Sequence, residues 1–163
     1  MKKALLLFVA WLFVGFSTAL AQGEQHYSLP NSNDAEKRLS ELRETLKTTD
    51  GKDKMRSYAE MIDIFFTLSA MDSMDKIFKE VETIKNTTSN KAVQLDAEMI
   101  IAAIWLKKGN AEKSITHYKN AAQICQENSV LEHSLPTVLM RIGDVNMNFG
   151  NYTEALSYYE KSL

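Results

Sequence analysis

The chain repeats itself at a fixed interval, and this limits its fold more than any other feature it carries. Gly109-Asn110-Ala111-Glu112 and Gly150-Asn151-Tyr152-Thr153 stand 41 residues apart. The same shift sets Ile101 on Ile142, Ala102 on Gly143, Ile104 on Val145, Leu106 on Met147, Ser114 on Ala155 and Tyr118 on Tyr159. A shift of 40 residues carries the pattern back, from Met61 to Ile101, Ile64 to Ile104, Phe65 to Trp105, Met74 to Ser114 and Phe78 to Tyr118. Large apolar residues meet large ones and small meet small. Any amphipathic helix resembles any other, but here the turn between two helices recurs along with them. A period of this length marks an array of supersecondary units, each burying its apolar face against a neighbour.

The units read as helices. Leu39, Leu42 and Leu46 recur at helical spacing before Thr48-Thr49-Asp50-Gly51 breaks the pattern. Further helices are predicted over 53–68, 72–85, 91–108 and 111–126, one opened by Ser134 and Pro136, and a last one from Tyr152. Asn86-Thr87-Thr88-Ser89-Asn90 reads as a turn that also caps the helix after it. Nothing alternates with period two for long enough to make a strand. Six Gly and two Pro leave little material for loop-rich β architectures. The predicted fold class is all-α.

The third unit carries Leu139-x-x-Ile142-Gly143-x-x-Asn146, then Gly150-Asn151-Tyr152, then Ala155-x-x-x-Tyr159. The second carries Ile101-Ala102-x-x-Trp105, then Gly109-Asn110-Ala111, then Ser114-x-x-x-Tyr118. These motifs resemble the tetratricopeptide repeat. The small residues Ala102, Gly143, Ser114 and Ala155 would let the two helices of a pair cross closely, and Tyr118 and Tyr159 would fill the space between pairs. The first unit is degenerate, with Ile62 at the small slot and no Gly turn. The spacing also exceeds the roughly 34 residues of the commonest form. The resemblance implies antiparallel helix pairs stacked as a right-handed solenoid. A cap helix over 34–48 would precede repeats over about 55–94, 95–135 and 136–163, the last incomplete.

In such a solenoid the first helix of each pair lines the concave side. The resemblance therefore implies a partner-binding groove made by Arg56, Ala59, Asp63 and Phe66, then Asp96, Met99, Ala103 and Leu106, then Thr137, Met140, Asp144 and Met147. Its methionines suit an adaptable apolar surface for a protein or peptide segment. The implied function is a non-enzymatic interaction module or scaffold that uses no cofactor. Two alternatives stand beside it: the periplasmic sensory region of a larger histidine-kinase or DNA-binding regulator, and a helical enzyme or ligand carrier. The apolar pattern Leu156, Tyr159, Leu163 has no Gly, Asn or Pro stop after it, which suggests an unfinished array or self-association through the C-terminal helix.

The N-terminal segment reads separately. Lys2 and Lys3 precede an uncharged run over 4–16, and Ala19-Leu20-Ala21 is a small-x-small cleavage site before Gln22. Residues 1–21 are thus expected to be an export signal, with an uncleaved anchor as the alternative. A polar leader over 22–33 follows. The implied location is the periplasm or cell envelope, or the secreted fraction, without membrane insertion once the signal is removed. Nineteen Lys and Arg against 21 Asp and Glu leave a net charge of −2, no electrostatic footprint for nucleic acid.

Catalytic and metal motifs are scarce. A single cysteine, Cys125, rules out an internal disulfide and every multi-cysteine zinc motif. His26, His117 and His133 have no second His or Cys at ligand spacing, and no Gly-rich phosphate loop or nucleophile elbow occurs. Lys107 and Lys108 are expected to offset the negative end of their helix.

Overall fold

The computed structural model describes residues 32–163. The expected export signal, and the expected leader up to residue 31 with His26, lie outside the described residues. Among those residues there are seven α-helices and no strand. The helices are α1 (Ser32–Thr48), α2 (Gly51–Thr67), α3 (Met71–Thr87), α4 (Lys91–Lys107), α5 (Ala111–Gln126), α6 (Leu135–Asn148) and α7 (Tyr152–Lys161). A 3-10 turn, Glu132–Ser134, leads into α6. From α2 onward each helix packs on the next, and α2 also packs on α4.

Local chemistry sets the helix ends. The side-chain oxygen of Asn90 accepts hydrogen bonds from the backbone N–H groups of Ala92 at 3.0 Å and Val93 at 3.4 Å. Asn110 accepts from the Lys113 N–H at 3.0 Å in the same way. Each satisfies donors that a helix start leaves without a carbonyl. The predicted turn over 86–90 is shorter than expected, because α3 continues through Thr87.

The turns inside the helix pairs share one backbone. Gly109 and Gly150 have φ of +75° and +80°. Behind them the N–H groups of Asn110 and Asn151 reach back to the carbonyls of Trp105 and Asn146, both at 2.9 Å. The glycine N–H groups donate to Leu106 at 2.9 Å and Met147 at 3.1 Å. This double bond pattern closes a helix on a left-handed residue. The α2–α3 turn repeats it: Ala70 N–H donates to Phe65 at 2.8 Å, Ser69 N–H to Phe66 at 3.0 Å, and Ser69 has φ of +56°. The first unit therefore closes with the same backbone, although, as expected, it has no glycine there and serine takes the position.

Two apolar clusters hold the helices together. In one, Leu39 and Leu42 of α1 join Met55 and Ile62 of α2, Met74 and Val81 of α3, and Ile101 and Ile104 of α4. In the other, Leu95 and Ala102 of α4 join Tyr118 and Cys125 of α5 and Val138, Ile142 and Val145 of α6. Helix α4 contributes to both and so buries opposite sides, which a single-faced surface helix does not. The small slots are all inside: Ala102, Ser114 and Ala155 are fully buried. At Gly143 a Cβ would lie 2.5 Å from the Tyr159 ring, so only glycine fits there without displacement. Asn146 is buried, and its side-chain amide donates to the Ile142 carbonyl at 2.9 Å.

Candidate functional site

The helices α2, α4 and α6 converge on a cleft of about 400 Å³. Ala59, Ile62 and Asp63 come from α2, Met99, Ile100, Ala103, Leu106 and Lys107 from α4, and Arg141 and Asp144 from α6, with Tyr118 of α5 behind them. A second cleft of about 300 Å³ continues toward the start of α2, lined by Lys52, Met55, Arg56, Ala59, Asp96, Met99 and Ile100. A third of about 180 Å³ runs between α4 and α6, past Asp96, Met99 and Thr137. Met99 lines all three, so the clefts adjoin at its side chain, and together they make up a trough. The alanines Ala59 and Ala103 make room along it, because small side chains leave the space between helices open.

The charges along the trough are mostly paired. Lys107 Nζ lies 2.9 Å from Asp63, and Arg141 lies 3.3 Å from Asp144. The Tyr159 hydroxyl donates to Asp144 at 3.0 Å, so that carboxylate also ties α7 to α6. Asp96 differs: no hydrogen bond or ion pair reaches it among the described residues. Burial pushes its carboxyl above the ordinary range, and the nearby charges of Lys52 and Arg56 offset only part of that. A half-buried acceptor on the trough wall can take a hydrogen bond from a peptide N–H or a side-chain donor.

The structure brings Arg56, Asp63, Asp96, Met99, Leu106 and Asp144 of the expected groove together, with Ala59, Ala103 and Thr137. Three residues depart. Phe66 lies beyond the clefts under the Lys107 ammonium, 4.5 Å from its ring centre, and Met140 and Met147 are exposed outside them. On the α6 wheel Asp144 falls between Met140 and Arg141, and the trough is on the arginine side. Lys52, Lys107, Arg141 and Tyr118 line the trough without having been assigned to it from the sequence. Lys52 and Arg56 are four apart and share a helix face, the only signal available for the first of them.

Other reactive side chains sit elsewhere. Glu98 is buried and bridges three helices: its carboxylate meets His117 Nδ1 of α5 at 2.6 Å and Lys85 Nζ of α3 at 3.4 Å. Burial pushes the Glu98 carboxyl up, but the His117 hydrogen bond and the Lys85 charge outweigh it and leave it below the usual range. The cluster lies off the walls of the three clefts. Lys107 and Lys108 do more than offset a helix end: Lys107 joins α4 to α2, and Lys108 pairs with Asp75 of α3. Cys125 is buried, and burial raises its thiol. The described residues hold no group of three or more His, Cys, Asp or Glu arranged to bind a metal. Among them no helix is long and apolar enough to cross a membrane. Comparison of the chain with protein-family models finds no match, and comparison with curated proteins finds none either.

Proposed function

We propose that this chain is a binding module of the tetratricopeptide-repeat kind, exported to the cell envelope, which holds a segment of a partner protein in the trough along α2, α4 and α6. One observation carries the reading. Helices one repeat apart in the sequence line one cleft together, with Ala59 and Asp63 from α2, Met99 and Ala103 from α4, and Arg141 and Asp144 from α6. The shared turn backbone at Ser69, Gly109 and Gly150 supports the same repeat unit. The trough suits a segment rather than a small molecule, since three adjoining clefts on successive helices share Met99. In this reading Met99 adapts to an apolar side chain, the ion pairs at the rim set register, and Asp96 accepts a hydrogen bond.

The test is direct. The chain and an Ala103→Arg variant are used as baits for envelope extract, with Val130→Arg, at an exposed site off the trough, as control. Ala103→Arg is preferred over a change at Asp144, because Asp144 also holds Tyr159. A partner captured by the chain and the control but lost with Ala103→Arg supports the reading. Equal capture by all three overturns the assignment of the trough.

A further inference from the structure

Of the carboxylates that line the trough, Asp96 is the one left without a cation among the described residues. The other two show what such a group takes here. Asp63 has the Lys107 ammonium at 2.9 Å, and Asp144 has the Arg141 guanidinium at 3.3 Å and the Tyr159 hydroxyl at 3.0 Å. Asp96 is half-buried and makes no side-chain hydrogen bond or ion pair among the described residues. One repeat earlier its position holds Arg56, and one repeat later Thr137, so the carboxylate is particular to this unit and is no part of the repeat's packing. It lines the second cleft and the third. In the third, of about 180 Å³, the other walls are Leu95, Met99, Ser134, Thr137 and Val138. The residues lining that cleft thus supply one carboxylate, two hydroxyls, apolar walls and no basic side chain.

Resting on the reading that the trough holds a partner segment, we propose that its third cleft receives a lysine or arginine side chain of that segment, with Asp96 as the counter-charge. A carboxylate drawn partly out of water with no donor gains most from a charged one, so Asp96 is the group in the trough with most to gain from a cation. The Ser134 and Thr137 hydroxyls have no hydrogen-bond partner among the described residues, and their lone pairs can take the remaining N–H groups of an ammonium or guanidinium. Leu95, Met99 and Val138 give the methylene stem an apolar bed, the arrangement that long basic side chains favour. The chain's own cations do not fill this place. Lys52 and Arg56 line the second cleft and not the third, both are exposed, and Arg56 lies 3.4 Å from Asp53. Exposed and solvated, those two gain little from an added partner, so an acidic residue on the segment gains less there than a basic one gains at Asp96.

Selection from random peptides displayed on phage tests it, with the chain, Ala103→Arg and Asp96→Asn as baits. Peptides selected by the chain should be lost with Ala103→Arg and should carry Lys or Arg at one fixed position. A synthetic peptide of the selected sequence should bind Asp96→Asn about 10- to 100-fold more weakly than the chain. Replacing its basic residue by Met should weaken binding to the chain by a similar factor and cost little further with Asp96→Asn, because the two changes remove the same contact. Asparagine has the shape of aspartate and Asp96 holds nothing in the fold, so the variant should keep the helical circular dichroism and thermal midpoint of the parent. Peptides that depend on Ala103 but have no fixed basic position, or a fixed acidic one, or that bind Asp96→Asn equally well, overturn the cation site and leave the trough standing. Peptides held equally by Ala103→Arg, or none selected at all, overturn the trough and the cation site with it.

Discussion

Gly143→Ala adds one carbon to α6, and its effect should change sign with the identity of residue 159. In the helix interior alanine is better than glycine by about 1 kcal/mol, because it removes backbone freedom from the unfolded chain. The added Cβ would stand 2.5 Å from Cε1, 2.7 Å from Cδ1 and 3.1 Å from Cζ of Tyr159. Carbon atoms in ordinary contact are about 3.5–4.0 Å apart, so the ring has to retreat by about 1 Å. Tyr159 can do so only by giving up packing on α6 and its 3.0 Å hydrogen bond to Asp144. Overpacking of this kind costs about 1–3 kcal/mol. The single change is therefore expected to destabilise by about 0–2 kcal/mol, the difference between the two effects. With Tyr159→Ala in place the obstacle is gone, and the same glycine change should stabilise by about 1 kcal/mol. The assay is urea unfolding of the four proteins of the cycle, followed by far-ultraviolet circular dichroism. A coupling of about 1–3 kcal/mol between the sites is expected. If Gly143→Ala stabilises by the same amount in both backgrounds, the ring does not occupy the slot and the reasoning fails. Gly143→Leu should be worse than Asp144→Leu for the same reason.

Three further outcomes are expected. Ser69→Gly should raise stability by about 0.5–1 kcal/mol in thermal unfolding, since a serine held at positive φ is strained where glycine is not. Ser114→Ala should be neutral or stabilising by up to about 1 kcal/mol, because the buried Ser114 hydroxyl has no hydrogen-bond partner among the described residues and Ala155 fills the equivalent slot one repeat on; a clear loss of stability in denaturant unfolding would point to a bond made there. Glu98 has a folded-state pKa below its unfolded one, so its contribution is present above about pH 4.5 and is lost as pH falls through the folded value. Glu98→Gln should flatten that acid limb of a stability-against-pH curve and cost about 1–3 kcal/mol at neutral pH, since Lys85 and His117 lose their shared partner.

Residues that act through local geometry were legible before any coordinates, and residues that act through tertiary charge were not. The turns at Gly109 and Gly150 announce themselves because only glycine takes positive φ without strain, and the asparagines beside them belong to the same local motif. The buried small residues Ala102, Ser114 and Ala155 are legible for a related reason: a small residue recurring inside an apolar stripe marks a close approach of helices. Ser69 escaped the same logic because the backbone imposes its conformation against the preference of the side chain. Glu98 escaped because a glutamate in a helix ordinarily faces solvent, and only the folded chain brings Lys85 and His117 from two other helices to its carboxylate.

The groove residues divide along the same line, and the division explains why the function is harder to read than the fold. Periodicity fixes which residues share a helix face to within about one position, or 100° of rotation. That is enough to bury Val138 and Ile142 correctly, since a core accepts a broad stripe. It is too coarse to separate Arg141, which lines the trough, from Met140, which does not. The rotation of α6 is set by how Gly143 meets Tyr159 and how Asp144 receives its hydroxyl, contacts between residues 15 and 16 apart. A binding surface defined by one side chain in each helix turn therefore depends on packing several ångströms behind it. Substitutions at the small slots should accordingly change the shape of the trough, even though none of Ala102, Ser114, Gly143 and Ala155 lines it.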